Sequence, residues 1–144
     1  MVADPEKDAA SVAQPDVTVL VIDDDADLRG YIRDCLRRHG GSGTTVLEAA
    51  TAQEALELLE ATVPDLVITD VVMPGMDGFA FTRQVRLSYA PADLPVLLVT
   101  GELSRRDASS RATAVGAQAT LAKPFNAREL CAAVARLLGA RGPP

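Results

Sequence analysis

Two apolar patterns alternate along the chain. Val17–Ile22 (VTVLVI) is an unbroken, largely β-branched run that stops at Asp23, Asp24 and Asp25. Such a run predicts a strand buried on both faces, as in a parallel sheet. Leu28, Ile32, Cys35 and Leu36 then recur at i, i+4, i+7 and i+8, one face of a helix that should stop at Gly40 and Gly41. Residues 44–48 (TTVLE) predict a second, poorer strand. Thr51 and Glu54 have capping-box spacing ahead of the stripe Ala52, Ala55, Leu56 and Leu59. Pro64 breaks that helix, and residues 65–69 (DLVIT) predict a third strand ending at Asp70.

The second half repeats the scheme. Residues 73–78 (MPGMDG) are dense in turn formers, and a helix is expected over about 79–88, with Phe81 and Val85 one turn apart. Residues 95–100 (PVLLVT) predict the fourth strand. A polar, arginine-rich helix over 104–115 ends at Gly116, and 117–122 forms a weak fifth strand closed by Lys123-Pro124. Asn126 and Glu129 form another capping box before Leu130, Val134, Leu137 and Leu138. Five strand–helix units favour right-handed crossovers and a parallel sheet with helices on both faces. They are too few for an eight-stranded barrel, which leaves an open, doubly wound α/β sheet. The expected domain is 17–138, preceded by a flexible tail or linker at 1–16 and followed by a frayed tail at 139–144.

Composition narrows the function classes. A length of 144 residues suits one domain, and 48% hydrophobic with 24% charged residues is ordinary for a globular protein. No apolar run approaches the roughly 18 residues of a membrane span, and the first residues lack the apolar segment of a secretory signal. The net charge of −6 argues against nucleic acid as a direct partner. The two cysteines, Cys35 and Cys131, are too few for a disulfide scaffold and lie in helical stripes, so each reads as a small core residue in a reducing, cytoplasmic compartment. With His39 as the single histidine, a catalytic triad or a His-rich metal site has little to draw on.

The chemistry gathers where the strands end. Strand one delivers Asp23, Asp24 and Asp25, strand three Asp70, strand four Thr100 and strand five Lys123. Taken singly, each has a plain structural explanation: Asp25 as helix cap, Asp23 and Asp24 as further caps, Asp70 as a loop acid, Thr100 as a strand end, Lys123 as a solvated lysine. Taken together, they converge on one rim of a parallel sheet, where such folds place ligands. Two carboxylates about 4 Å apart repel by about 4 kcal/mol at an effective dielectric of 20. A divalent cation relieves that conflict, and an all-oxygen donor set suits Mg²⁺. An aspartate beside Mg²⁺ can act as a nucleophile toward phosphorus, with Lys123 and Thr100 placed for the phosphoryl oxygens.

From 17 to 138 the chain resembles the receiver domain of two-component response regulators. LVIDDD resembles the family's first-strand acidic pair, DLVITDVVMPGMDG its phosphoacceptor segment, and PVLLVTG and LAKPF its threonine and lysine segments. The resemblance implies a flavodoxin-like (βα)5 fold with strand order 2-1-3-4-5. It implies Asp70 as phosphoacceptor, Asp24 as direct Mg²⁺ ligand, Asp23 acting through water and the main-chain carbonyl of Val72 as a further ligand. It further implies that Thr100 and Lys123 contact the phosphoryl group and that the Lys123–Pro124 peptide is cis. The implied donor is a phosphohistidine on a sensor histidine kinase or phosphotransfer protein. The implied output toward an effector is a shift of the face made by the fourth helix, fifth strand and fifth helix.

Two positions depart from the family pattern. Thr120 stands where a Tyr or Phe usually rotates with the threonine, and Gly101 where Ala is frequent. Ser104, Arg105, Arg106 and Arg111 form either a solvated polar face or a surface for an acidic partner. The chain reads as a stand-alone regulator or a receiver excised from a hybrid kinase. A Mg²⁺-dependent aspartyl-phosphate phosphohydrolase would want a second acid where Val72 stands, and a binding module would not need an intact site.

Overall fold

Residues in a parallel strand point alternately to opposite faces, so a continuous apolar run must find a hydrophobic layer on each side. The computed structural model, which describes residues 16–39, 43–101 and 105–139, provides both layers. In chain order the elements are β1 (Val17–Ile22), α1 (Ala26–His39), β2 (Thr44–Ala49), α2 (Ala52–Ala61), β3 (Leu66–Asp70), α3 (Gly78–Val85), β4 (Val96–Thr100), α4 (Arg105–Val115), β5 (Ala119–Ala122) and α5 (Ala127–Gly139). The strands are all parallel, in the order β2-β1-β3-β4-β5. Val19, Val21, Leu66, Ile68, Leu97 and Val99 pack under α1 and α5, through Ile32, Leu36, Leu130 and Val134. Leu20, Ile22, Val67, Val96 and Leu98 pack on the other face against α2, α3 and α4, through Ala55, Leu59, Phe81 and Ala112. The flavodoxin-like (βα)5 sandwich and its strand order are as expected.

The caps follow the sequence. Asp25 Oδ1 accepts from the backbone N–H of Asp27 at 2.9 Å and of Leu28 at 3.3 Å, starting α1. Thr51 Oγ1 accepts from Glu54 N, while the Glu54 carboxylate reaches back to Ala50 N at 2.9 Å. Asn126 and Glu129 close a fully reciprocal box, at 2.8 and 3.0 Å. Cys35 is buried as expected, whereas Cys131 is half-buried, and both thiols are free.

Two boundaries differ from expectation. Helix α3 ends at Val85 because Leu87 and Ser88 donate to Gln84 and Val85, three residues back, and tighten the chain into a turn. Strand β5 begins at Ala119 because Ala117 is already used: Gly116 N–H donates to Thr113 and Ala117 N–H to Ala112, a Schellman closure of α4. Gly116 sits at φ +88°, and a Cβ there would meet the Arg86 side chain at 3.1–3.3 Å. Arg86 is a staple between α3 and α4. Its guanidinium donates to the carbonyls of Gly116, Tyr89 and Leu94 and to Gln118 Oε1, which also accepts from Val96 N. Burial pushes the Arg86 pKa below its ordinary value.

No helix among the described residues is long and apolar enough to cross a membrane. The stop signal at Gly40 and Gly41, the tail at 1–15, Ser104 and the side chains of Arg105 and Arg106 lie outside the described residues.

Candidate functional site

A parallel sheet brings all its carboxyl ends to one edge, and here that edge carries the acids. Asp23 directly follows β1, Asp70 is the last residue of β3, Thr100 the last of β4, and Lys123 directly follows β5. The β4–β5 ladder runs into the site: Lys123 N–H donates to the Thr100 carbonyl at 2.7 Å, so these two residues are neighbours across the last rung. Asp23, Asp70 and Thr100 are buried, only 2%, 7% and 5% exposed, while Asp24 is exposed.

Asp23, Asp24 and Asp70 each present a carboxylate oxygen within 4.8 Å of the others. At that spacing and an effective dielectric of 20, each pair of full charges repels by about 3 kcal/mol. Protein groups compensate in part. Lys123 Nζ donates to Asp70 Oδ2 at 3.2 Å and lies 3.7 Å from Asp23 Oδ2. Asp25 N–H donates to Asp23 Oδ1 at 2.8 Å, and Val72 N–H approaches Asp70 Oδ1 at 3.4 Å. The balance at Asp23 still falls against the charged form. Burial pushes its carboxyl up, the charges of Asp70 and Asp24 add to that, and the Asp25 N–H and Lys123 oppose it. A buried carboxylate with a raised pKa in an oxygen-only cluster is what a hard divalent cation would stabilise, so the donor set fits such an ion.

The site is assembled by a close backbone approach. Gly78, at the start of α3, donates its N–H to the Val71 carbonyl at 2.8 Å. A Cβ on Gly78 would stand 2.3 Å from the Asp70 carbonyl oxygen and 2.9 Å from Val71 Cα, so only glycine permits α3 to begin there. Asp77 caps the helix, accepting from Ala80 N at 2.8 Å.

The family model for the response regulator receiver domain matches residues 19–135. The chain belongs to the response regulator receiver domain family. It is 34% identical over 129 residues to the sensor histidine kinase CheAY of Helicobacter pylori, covering 88% of this chain and 16% of that protein. It is 31% identical over 126 residues to the phosphate regulon transcriptional regulatory protein PhoB of Pseudomonas aeruginosa, covering 88% of this chain and 53% of that one. The chain thus spans about half or less of the length of these curated relatives. Among solved structures, the chemotaxis response regulator CheY4 of Vibrio cholerae superposes with a TM-score of 0.76 at 31% identity, over 85% of this chain and 99% of that one.

The receiver's departures have structural counterparts. Thr120 is half-buried and lines a cavity of about 570 Å³ with Thr100, Ala108, Ser109, Pro124 and Glu129. A threonine hydroxyethyl is too small to fill that space, and among the described residues that line it none is aromatic. At Gly101 an added Cβ would only touch the Lys123 stem, at 3.4 Å or more. The Lys123–Pro124 peptide is cis, as expected.

Three features escaped the sequence. Arg111, read as part of a polar face or partner surface, lays its guanidinium 4.1 Å over the ring of buried Phe79. Leu28, Tyr31, Pro124 and Phe125 line a cavity of about 590 Å³ that also includes Asp70 and Lys123. Arg29 Nη1 donates to the main-chain carbonyl of Asp23 at 2.6 Å. The apolar spacing of α1 foretold Leu28 as a core position, but nothing local marks the partners of Arg29 or the pairing of Tyr31 with Phe125, whose ring centroids lie 6.3 Å apart.

Proposed function

We propose that this receiver accepts a phosphoryl group from a phosphohistidine onto Asp70 and uses the resulting acyl phosphate to switch or relay a signal. The observation that carries this is Lys123 Nζ, 3.2 Å from the carboxylate of a buried aspartate at the sheet's carboxyl edge. Asp23, Asp24, Asp70 and the main-chain carbonyl of Val72 are the groups to hold Mg²⁺. When bound, that ion supplies positive charge against the phosphoryl oxygens.

The rest falls to the protein's own groups. An Asp70 carboxylate oxygen attacks phosphorus as the P–N bond to the donor ring breaks, its electron pair returns to that nitrogen, and the ring leaves as neutral imidazole with the proton already on its other nitrogen. Lys123 follows an oxygen of the transferred group, and the Thr100 hydroxyl donates to another. Hydrolysis reverses the loading: water attacks phosphorus, the P–O bond to Asp70 breaks, and inorganic phosphate leaves. These two steps on its own side chain are the only chemistry assigned to the receiver. The position two residues after Asp70 holds the exposed side chain of Val72, which offers no carboxylate for a phosphohydrolase acid.

The donor reaches Asp70 through the cavity bordered by Leu28, Tyr31 and Phe125. Tyr31 is 43% exposed and Val72 52%, an apolar rim that suits a helix carrying a phosphohistidine on a sensor kinase or phosphotransfer protein. A cytoplasmic setting, in keeping with the two free thiols, belongs to the same proposal. So does a domain extending over 17–138.

The test is phosphorylation by acetyl phosphate or a panel of phosphorylated histidine kinases in Mg²⁺, followed by intact mass. Wild type gains one phosphoryl group, and Asp70→Asn gains none. Equal labelling of the two would move the nucleophile elsewhere.

A further inference from the structure

We infer that Arg29, held in place by Glu48, is a positioning residue that fixes the main chain of Asp23 and thereby sets the affinity of the acidic cluster for a divalent cation. The inference rests on reading Asp23, Asp24 and Asp70 as the cation site, and it adds residues which that reading does not contain.

Asp23 leaves β1 without a following strand residue to hold it, yet both of its peptide groups are bound. Its N–H donates to the Ala49 carbonyl at 3.1 Å. Its C=O accepts from Arg29 Nη1 at 2.6 Å. Arg29 is itself oriented, because its Nε donates to Glu48 Oε1 at 3.2 Å. Glu48 and Ala49 are adjacent on β2, whose register against β1 pairs Glu48 with Val21 and Ala49 with Ile22. The end of the edge strand therefore grips Asp23 twice, once directly and once through the guanidinium.

The consequence for the acids follows from connectivity. The carbonyl that Arg29 binds belongs to the peptide joining Asp23 to Asp24. Fixing that peptide plane fixes where both carboxylates leave the backbone, while Asp25 N–H pins Asp23 Oδ1 from the other side at 2.8 Å. A cation site made of three carboxylates depends on their mutual distances within tenths of an ångström, and groups that orient metal ligands usually matter 10–100-fold for affinity. Arg29 is suited to this role because its side chain is only 17% exposed, and a planar fork can serve a carbonyl and a carboxylate together. Arg33 also donates to Glu48, at 2.9 Å, but its side chain is 34% exposed and it makes no bond to Asp23.

The experiment is isothermal titration of MgCl₂ into the full chain as wild type, Arg29→Met, Arg29→Lys and Arg33→Met, with thermal melts of each. Arg29→Met should bind Mg²⁺ about tenfold more weakly. Arg29→Lys, which can serve one partner but not both, should fall between it and wild type. Arg33→Met should stay within about twofold of wild type, since exposed ion pairs contribute little. If wild type binds Mg²⁺ and Arg29→Met matches it within twofold, the positioning role is overturned and the cation site stands. If wild type takes up no Mg²⁺, the cation site falls and this role falls with it. Should Arg29→Met melt below the titration temperature, Arg29→Lys decides, and wild-type affinity in that variant overturns the role.

Discussion

Lys123 Nζ and Asp70 Oδ2 lie 3.2 Å apart although 53 residues separate them in the chain. The contact joins β5 to β3 across the end of β4 and places a cation against the two buried acids of the cluster. Lys123→Ala should leave Asp23 and Asp70 facing each other without that charge. We expect a loss of about 1 kcal/mol in urea unfolding, small because the Lys123 side chain is 30% exposed. Phosphoryl uptake from acetyl phosphate, followed by mass, should slow on the order of a hundredfold. An unchanged rate would remove Lys123 from the reaction.

Asp23 gives a prediction with a definite sign. Its folded pKa is raised, chiefly by burial, so the ionised form destabilises the fold when no cation is bound. Protonation relieves that penalty, which is therefore full above the folded pKa and absent below the ordinary value of 3.8. Asp23→Asn should melt above wild type at pH 7 in EDTA. Its advantage should shrink as pH falls toward the ordinary carboxylate range. Added Mg²⁺ should raise the melting temperature of wild type and leave Asp23→Asn nearly unmoved. A constant difference across pH would show that the Asp23 carboxyl is not strained by burial.

Gly78→Ala should be costly for a single methyl group. The new Cβ would collide with the backbone of Asp70 and Val71, not with a flexible side chain. A loss of about 1–3 kcal/mol is expected in the urea midpoint, together with slower phosphorylation as Asp70 is pushed aside. Gly101→Ala, whose methyl would rest on the Lys123 stem, serves as the tolerated comparison.

Arg86→Met separates fold from chemistry. The variant leaves the carbonyls of Gly116, Tyr89 and Leu94 without their shared donor at the edge opposite the acids. Stability should drop by about 2–3 kcal/mol, and hydrogen exchange should quicken first at the carboxyl end of α4. Phosphorylation of Asp70 at low temperature should persist. Loss of phosphorylation in a folded Arg86→Met would show the two edges of the sheet to be coupled.

Much of this was legible before any coordinates. The runs VTVLVI, DLVIT and PVLLVT declared buried parallel strands because a side chain on either face needed an apolar layer. The caps at Asp25, Thr51 and Asn126 were readable because a capping side chain bonds within three residues of itself. Asp23, Asp70, Thr100 and Lys123 were readable as a group because each directly ends a strand. Misreadings occurred where a tertiary partner overrode the local pattern. Ala117 looked like strand but serves the Schellman closure of α4, and Arg111, exposed as a surface residue should be, also lies over Phe79, a contact no local pattern marks.

The amino-acid order alone determined which elements form, which way the apolar faces point and which chemical groups arrive at the carboxyl edge, since periodicity, capping and strand termination act over a few residues. Distances were another matter. That three carboxylates share a 4.8 Å neighbourhood, that Lys123 rather than another cation stands against them, that Arg29 and Glu48 grip Asp23, and that Gly78 must lack a side chain were decided by the tertiary structure. Those contacts join separate strands and helices, and chain positions that meet only when the sheet closes leave no local pattern to read.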